Sequence, residues 1–411
     1  MDSADRPGDA ARVALIVVAV GSFVSPPLAN VAAALALLLA LASVPMRARL
    51  VGVARQPLGM GALGLFATMT VAMLWADVSW HQRFDAWWNW RVLLLVVLAA
   101  AAFEPARWKL RFCEALVAVL ALGAIVSFGL WWAKTSIDPD SRGILFRNHV
   151  TQSMALAVGA VLALVLAAQA ARPLRTRLLL AAAVALCVAN MVSVASGRSG
   201  AVALVVAALG SAVLLLRGSR RWIGLVAVPA AAAALVLASP MLQQRFRLVA
   251  QEAPSLDCSG YENSTGLRLL LWRTTGNLIA AHPWLGYGVG GFTPAYEKEV
   301  RHQMQGHEFS GWCARPVHDP HNQYLRVTVE AGVPGLLAFL GLMVGAVRQR
   351  AAQPYRGCAL ALLAAWCVTS LFNSHFQTFN EGHLIAVVLG ALLAPDAQES
   401  SALNTVSRTS S

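Results

Sequence analysis

A histidine with polar neighbours stands directly before one of the most apolar segments of the chain. His321 lies in a polar run between Val317 and Leu325, and an apolar stretch follows from residue 327 to residue 344. Because an imidazole titrates near neutral pH, at a membrane surface it can accept the proton of a hydroxyl group that water alone would not activate. We therefore predict that His321 is a general base where a loop enters a membrane. The alternative is a histidine that only caps the following helix.

Two short turns carry arginines that are candidates for binding an anionic group. Arg198 stands in the small-residue turn 196–200, and Arg147 stands two residues before His149 at the start of another apolar segment. The planar guanidinium fork binds phosphate oxygens in pairs. We predict that Arg198, Arg147 and His149 bind substrate, although an arginine at a membrane boundary could also simply extend to the lipid surface.

A further candidate anion site lies in an amphipathic segment. Hydroxyl residues at 264 and 265 are followed by apolar residues at helical spacing until His282 and Pro283, which predicts a capped helix. Arg268 falls near the start of this helix, where free backbone N–H groups and the helix dipole favour anions. We predict that Arg268 and Arg273 bind substrate; anchoring to lipid phosphates is the alternative for both.

The composition indicates what positions these residues. Hydrophobic residues make up 58% of the 411 residues and charged residues only 13%, and the mean hydropathy is +0.61. These values exceed what a soluble core needs, so we predict an all-α polytopic membrane protein.

The net charge of +12 does not indicate nucleic-acid binding, because much of it lies in short basic loops. Residues 286–291 are rich in glycine but follow a His-Pro break rather than a strand, and we interpret them as a flexible turn.

Apolar windows long enough to cross a bilayer as helices recur about twelve times along the chain. The sequence predicts spans at 12–25, 28–45, 58–76, 89–103, 113–132, 149–171, 178–195, 200–216, 222–239, 323–346, 357–372 and 382–394. The first two could instead form one broken hairpin, because Pro26 and Pro27 separate them. The chain then divides into nine spans over 1–239, a large loop over 240–322, three spans over 323–394 and a tail over 395–411.

Short loops rich in arginine and lysine set the expected orientation. Five of them fall on one side if every span crosses, and positive loops stay in the cytoplasm. Both termini and the tail are then cytoplasmic, and the N-terminal stretch with Asp2, Asp5 and Asp9 does not have the pattern of a cleavable signal peptide. The large loop lies on the opposite, periplasmic side, where its arginines make the surface cationic and attractive to phosphates.

Cysteines and ionisable residues inside or beside the spans give three further expectations. Cys258 and Cys313 both fall in the large loop, where an oxidising compartment permits a disulfide between them. Arg326 and Glu330 are four residues apart within the tenth span and are predicted to form a buried structural ion pair. His318 and Asp319 beside His321 could suggest a metal, but arginines already supply positive charge, so we expect neither a metal nor a cofactor.

These motifs resemble a known family. His321 and Asn322, followed after nine residues by Gly332-Val333-Pro334-Gly335, resemble the signature of bacterial O-antigen ligases. The turn around Arg198 and the run from Gly266 to Gly290 look like other shared blocks of the O-antigen ligase and polymerase superfamily. The resemblance covers nearly the whole chain, and its motifs are more specific for the superfamily than for the ligase branch.

The resemblance implies a C-type membrane glycosyltransferase fold in the bacterial inner membrane, with the active site on the periplasmic face. It implies transfer of a finished glycan from undecaprenyl diphosphate to a sugar hydroxyl of lipid A-core in lipopolysaccharide biosynthesis. In such a reaction His321 would deprotonate the acceptor hydroxyl with inversion, without a metal, while Arg198 and Arg268 hold the diphosphate. The implied partners are this lipid-linked donor, the lipid A-core acceptor and membrane lipids, with no nucleic acid.

Three other functions remain open from the sequence. An O-antigen polymerase or a protein O-oligosaccharyltransferase of the same superfamily would use the same chemistry on a different acceptor. From another class, a transporter of lipid-linked glycans would also have about a dozen helices and a cationic mouth. Transporters often show internal repeats and polar sites at midplane depth, whereas the charges here gather at the surfaces and no repeat is evident.

Overall fold

Helices form all of the regular structure in the computed structural model, which describes residues 5–135, 142–169, 171–195, 197–238, 243–244, 264–303 and 317–395. The α-helices of these residues are α1 (Arg6–Val24), α2 (Pro26–Ala42), α3 (Val44–Ala54), α4 (Pro57–Ala72), α5 (Trp80–Trp88), α6 (Val92–Ala102), α7 (Ala106–Trp132), α8 (His149–Ala167), α9 (Leu174–Ser193), α10 (Arg198–Leu215), α11 (Ser219–Ala238), α12 (Ser264–Ala281), α13 (Phe292–Gln303), α14 (Gln323–Arg348), α15 (Tyr355–Thr369) and α16 (Phe379–Leu392).

The helices have the length and composition of a multi-pass membrane protein, as predicted. Within the described residues, nine helical segments are long and apolar enough to cross a bilayer, or ten if α2 and α3, bent by 104° at their junction, form one span. The apolar helices α15 and α16 are shorter. Each of the twelve predicted spans overlaps one of these helices, but the number of crossings stays a prediction, as does the C-type fold.

The first two predicted spans are two separate helices. Ser25 has an extended conformation between them, and its hydroxyl accepts from the backbone N–H of Leu28. Pro26 then opens α2, where a missing N–H costs nothing because the first turn has no internal acceptor for it. As a result α2 folds back and packs along α1. The two helices form the broken hairpin that was the alternative prediction for the first two spans.

The central helix of the bundle is α8, most of whose residues are buried. It packs against α7, α9 and α10 and also meets α15 and α16. By contrast α11 lies at the edge, with its apolar side chains exposed, as expected of a helix that faces lipid. Helices that meet α8 near its first turn are therefore well placed to build a site at that end of the bundle.

A break in α14 follows from the Gly-Val-Pro-Gly motif. Gly332 has φ +62° and ψ −161°, a backbone conformation that residues other than glycine rarely adopt. Pro334 follows two residues later and has no N–H to donate within the helix. The turn at 283–288 packs into the break: Val333 donates to the carbonyl of Pro283, and Tyr287 donates to that of Val329 at 2.8 Å. These bonds satisfy the backbone groups that the break releases.

The glycine-rich turn at 286–291 is held in place, which differs from the flexible turn that the sequence indicated. Gly286, Gly288 and Gly290 all have positive φ, and Gly288 also donates to the carbonyl of Glu330 at 2.9 Å. A Cβ on Gly288 would lie 2.5 Å from the backbone of Ala76. Close packing against two other segments therefore requires these glycines.

We expect Gly332→Ala to destabilise the protein, because a Cβ there would lie 2.1 Å from the carbonyl oxygen of Trp284 and the positive φ is strained. The expected cost is roughly 1–3 kcal/mol. Thermal unfolding in detergent or nanodiscs measures it, and Gly341→Ala is the matched control, since a Cβ on Gly341 in the same helix meets nothing within 4 Å. Equal stability of the two variants would contradict this account of the break.

Candidate active site

His321 occupies a strained position just before α14. Its φ is +51°, and the next residue, Asn322, is the N-cap whose side chain accepts from the N–H groups of Tyr324 and Leu325. The imidazole is 46% exposed, and its Nδ1 lies 3.6 Å from a carboxylate oxygen of Asp319. One ring nitrogen thus faces an acidic group, which leaves Nε2 as the nitrogen that can take a proton from a substrate.

A buried ion pair fixes the segment in front of His321. A guanidinium nitrogen of Arg326 lies 2.7 Å from the Glu330 carboxylate, and another donates to the carbonyl of His318 at 2.5 Å. Glu330 also accepts from the N–H of Gly290 at 3.4 Å. The pair therefore connects the polar run, α14 and the glycine turn, while His318 itself contacts the hydroxyl of Thr293 at 3.1 Å.

Arg198 is the first residue of α10, whereas the sequence placed it within a turn. Small residues bring this helix end close to α8: a Cβ on Gly200 would lie 2.4 Å from the Ser153 hydroxyl, and one on Gly197 would lie 2.8 Å from the carbonyl of His149. Arg198 is half-buried and adds its charge to the positive end of the helix dipole. Such a site favours an anion.

The helix predicted to start near Ser264 is present as α12, and Arg268 is half-buried on it, whereas Arg273 is exposed. Its apolar face packs with α13 and α14 through Leu271, Leu278, Phe292, Tyr296 and Val329. Glu299 of α13 accepts from Gln303 at 2.7 Å and from Asn277 of α12 at 3.2 Å, and the bond from Gln303 lowers the pKa of this carboxyl. Arg268 is thus carried by a helix pair docked on the helix that follows His321.

The loop at 370–378, between α15 and α16, links the elements that carry these candidate residues. Beside His321, the N–H of Gln323 donates to the carbonyl of Ser370 at 2.8 Å, and the Asn322 amide donates to that of Leu371 at 3.1 Å. Beside Arg198, the Asn373 amide donates to the Ser199 hydroxyl at 2.8 Å. We call this segment the 370–378 loop.

The 370–378 loop also reaches the helix of Arg268 and returns to α14. The ring of Phe372 lies 6.0 Å from that of Trp272, one turn after Arg268 on α12. The N–H of Phe376 donates to the Gln323 side chain at 3.0 Å. The elements of His321, Arg198 and Arg268, which are far apart in the sequence, therefore meet at one loop.

Arg147 and His149 stand at the start of α8 in the same region. Arg147 has φ +50° and precedes the N-cap Asn148, which repeats the arrangement of His321 and Asn322. The buried Gln152 side chain accepts from the N–H groups of Leu145 and Phe146 and fixes this segment. The guanidinium of Arg147 donates to Asn380 of α16 at 3.4 Å.

Among the helices that the structure describes, α8, α10, α14 and α16 start at this end of the bundle. Their first turns are joined to one another or to the 370–378 loop by short contacts, including one of 3.3 Å between Thr151 of α8 and Glu381 of α16. Helix N-termini carry partial positive charge, so the region combines four dipole ends with several arginines. Such a region favours an anionic group, and the binding of one beside His321 stays a prediction.

Some predicted site features lie elsewhere or are not covered. Cys258 and Cys313 fall outside the described residues, so their disulfide stays a prediction. Within the part of the chain that the structure describes, no group of three or more His, Cys, Asp or Glu side chains could hold a metal ion; metal independence likewise stays a prediction. Arg273 is exposed on α12, and its part in substrate binding also stays a prediction.

Sequence reasoning missed the 370–378 loop and the residues just after it. A signal was present, because residues 369–383 place two histidines, a glutamate and several amides and hydroxyls between two apolar spans. Polar groups at the edge of a membrane are costly to bury unless they have partners. The polar run could therefore have been predicted as a binding or positioning segment, although not its contacts.

Comparison with known proteins confirms the resemblance to the O-antigen ligase family over part of the chain. Residues 183–340 match the sequence model of the O-antigen ligase family. This region extends from α9 into α14 and includes Arg198, Arg268 and His321, while the 370–378 loop lies beyond it.

Curated relatives match a shorter part of the chain. Candidate polysaccharide ligases of Rickettsia felis and Rickettsia conorii are each 32% identical over 108 residues, which is 25% of this chain and 26% of the relative. A similarly named protein of Rickettsia bellii is 32% identical over 87 residues, 21% of this chain and 20% of the relative. The matches thus span about a quarter or less of each relative. They support a polysaccharide ligase-type domain in a multi-pass membrane protein.

The contact between α10 and the 370–378 loop can be tested by crosslinking. In a background without native cysteines, we expect Ser199→Cys and Asn373→Cys to be joined by a short bis-maleimide reagent, because their side chains are in contact. The matched control pairs Ser199→Cys with Ser219→Cys, which lies beyond the far end of α10 at about 27 Å by helix length. Crosslinking of both pairs alike, or of neither, would contradict the arrangement.

Proposed function

We propose that this protein is an O-antigen ligase, which transfers a glycan from undecaprenyl diphosphate to a sugar hydroxyl of lipid A-core during lipopolysaccharide biosynthesis. The main support is the meeting of three elements at the 370–378 loop: the start of α14 beside His321, the start of α10 with Arg198, and the helix of Arg268. A base beside two phosphate-binding arginines is what transfer from a glycosyl diphosphate requires.

His321 acts as the general base in the proposed reaction. Its Nε2 accepts the proton of the acceptor hydroxyl while the hydroxyl oxygen forms a bond to the anomeric carbon of the glycan. The bond between that carbon and the diphosphate oxygen breaks with inversion, and undecaprenyl diphosphate leaves with the electron pair. Asp319, close to Nδ1 of His321, stabilises the imidazolium that forms.

The arginines offset the charge that grows on the leaving diphosphate. Arg198 does so from the N-terminus of α10, where the helix dipole adds to its charge. Arg268 approaches from α12, and Arg147, His149 and Arg273 add to the positive potential around the donor. Because guanidinium groups supply this charge, the proposed reaction needs no metal ion and no cofactor.

The proposed location is the bacterial inner membrane, with the site on the periplasmic face and both termini in the cytoplasm. Support comes from the short basic loops, which fall on the side opposite to the predicted large loop. Both proposed substrates are lipid-linked, so the site must lie where a membrane helix meets water. His321 stands at such a junction, because α14 begins two residues after it.

Substitution of the three residues tests the mechanism. We expect His321→Ala to lower glycan transfer by roughly 10²–10⁴-fold, the usual contribution of a general base. Arg198→Ala and Arg268→Ala should also lose activity, and the corresponding lysine variants should recover little of it, because an ammonium lacks the paired fork. Transfer by purified protein in liposomes measures this, with Arg220→Ala in the first turn of α11, beyond the far end of α10, as a control. A folded His321→Ala protein with full activity would exclude His321 as the base.

The acceptor distinguishes ligation from related activities. We expect purified protein to modify lipid A-core and neither a second lipid-linked glycan nor a serine- or threonine-containing peptide, and to do so fully in excess chelator. Gel shift of each acceptor measures the product. Elongation of the lipid-linked glycan would indicate a polymerase, modification of the peptide a protein oligosaccharyltransferase, and movement of the donor across vesicles without covalent transfer a transporter.

A further inference from the structure

A buried imidazole of the 370–378 loop contacts a buried carboxylate at the start of α16, and the proposed chemistry does not use either group. His375 and Glu381 are both almost fully buried. An ionisable group costs a great deal in such a place unless it has a partner. The two groups are partners of one another, with Nδ1 of His375 in contact with a carboxylate oxygen of Glu381.

The remaining polar atoms of the pair bond to both ends of the loop and to α8. Nε2 of His375 lies 2.8 Å from the hydroxyl of Thr369, the last residue of α15. The second carboxylate oxygen of Glu381, in the first turn of α16, accepts from the hydroxyl of Thr151 in the first turn of α8 at 3.3 Å. A chain of four side chains thus closes the base of the loop and fastens it to the central helix.

Neighbours of His375 in the same loop make the contacts that join the candidate active-site elements. Asn373, two residues before His375, bonds to Ser199 beside Arg198. Phe376, one residue after it, bonds through its N–H to Gln323, two residues from His321. A displacement of His375 would therefore move the contacts to both α10 and α14.

We propose that the His375–Glu381 pair is a positioning device that holds the 370–378 loop and so sets the separation of Arg198 from His321. The inference rests on the proposed function, because the separation matters only if these residues act on one substrate. The pair makes its bonds to Thr369 and Thr151 rather than to the reacting groups. It therefore acts through the loop, and its loss should affect the catalytic step more than donor binding.

The decisive experiment combines a geometric and a kinetic measurement in Glu381→Gln, which keeps the size of the side chain but removes its charge. The geometric measurement is bis-maleimide crosslinking between Ser199→Cys and Asn373→Cys. We expect its rate to fall in the Glu381→Gln background. The kinetic expectation is a kcat lower by about 10–100-fold with KM for the donor nearly unchanged, because misplacing reacting groups by ~1 Å costs about that much.

The matched control is Glu104→Gln. Glu104 is also buried and paired, with Arg49, but it follows the far end of α6. This variant should lose stability without change in the crosslinking rate or in kcat per folded molecule. The double variant His375→Asn/Glu381→Gln should lose no more activity than the worse single variant, because the two groups act as one unit.

The outcomes separate this inference from the proposed function. An unchanged crosslinking rate in Glu381→Gln would overturn the positioning role, whatever the activity. A parallel loss of folded protein and activity, with kcat per folded molecule unchanged, would also overturn it and leave only a stabilising pair. If the wild-type protein transferred no glycan while crosslinking still fell in Glu381→Gln, the proposed function would fail and the control of loop geometry by the pair would stand.

Discussion

The first turns of four helices meet around one polar loop, and the site depends on this constraint. Helix N-termini expose unpaired N–H groups and partial positive charge, and a membrane interior offers little water to satisfy them. Asn148 and Asn322 cap α8 and α14, and the 370–378 loop supplies acceptors and donors between helices. The caps and the loop contacts pair part of the polar backbone at this end of the bundle, and the positive ends of the helix dipoles there favour anions.

The break in α14 gives this arrangement its second fixed point. Gly332 permits the break, the turn at 283–288 fills it, and the Arg326–Glu330 pair lies just before it. Together they hold the segment that ends at His321, a residue whose positive φ is energetically strained. Rigid support of a strained residue is typical of sites that must place one group accurately. The helix that begins two residues after His321 therefore also joins the glycine turn that follows α12.

Sequence predicted the helices well and the site only in part, for physical reasons that differ between residues. The hydropathy of a short window indicates whether that segment can lie in lipid, so each predicted span overlaps a helix. The helix that carries Arg268 is predicted from its capping residues and its apolar spacing. The glycines around Arg198 predict a turn, but in the structure they let α10 pack against Ser153. The bond between Asn373 and Ser199 joins residues 174 positions apart, and a single sequence carries no local signal for such a contact.

The most direct test of the account is a structure of the protein in a lipid nanodisc with undecaprenyl diphosphate bound. We expect diphosphate oxygens within about 3 Å of the guanidinium groups of Arg198 and Arg268, a hydrogen-bonding distance. The imidazole of His321 should then face the position of the anomeric carbon across an open space for the acceptor hydroxyl. A diphosphate bound at the other end of the bundle, or an imidazole turned away from it, would show that His321, Arg198 and Arg268 do not form one active site.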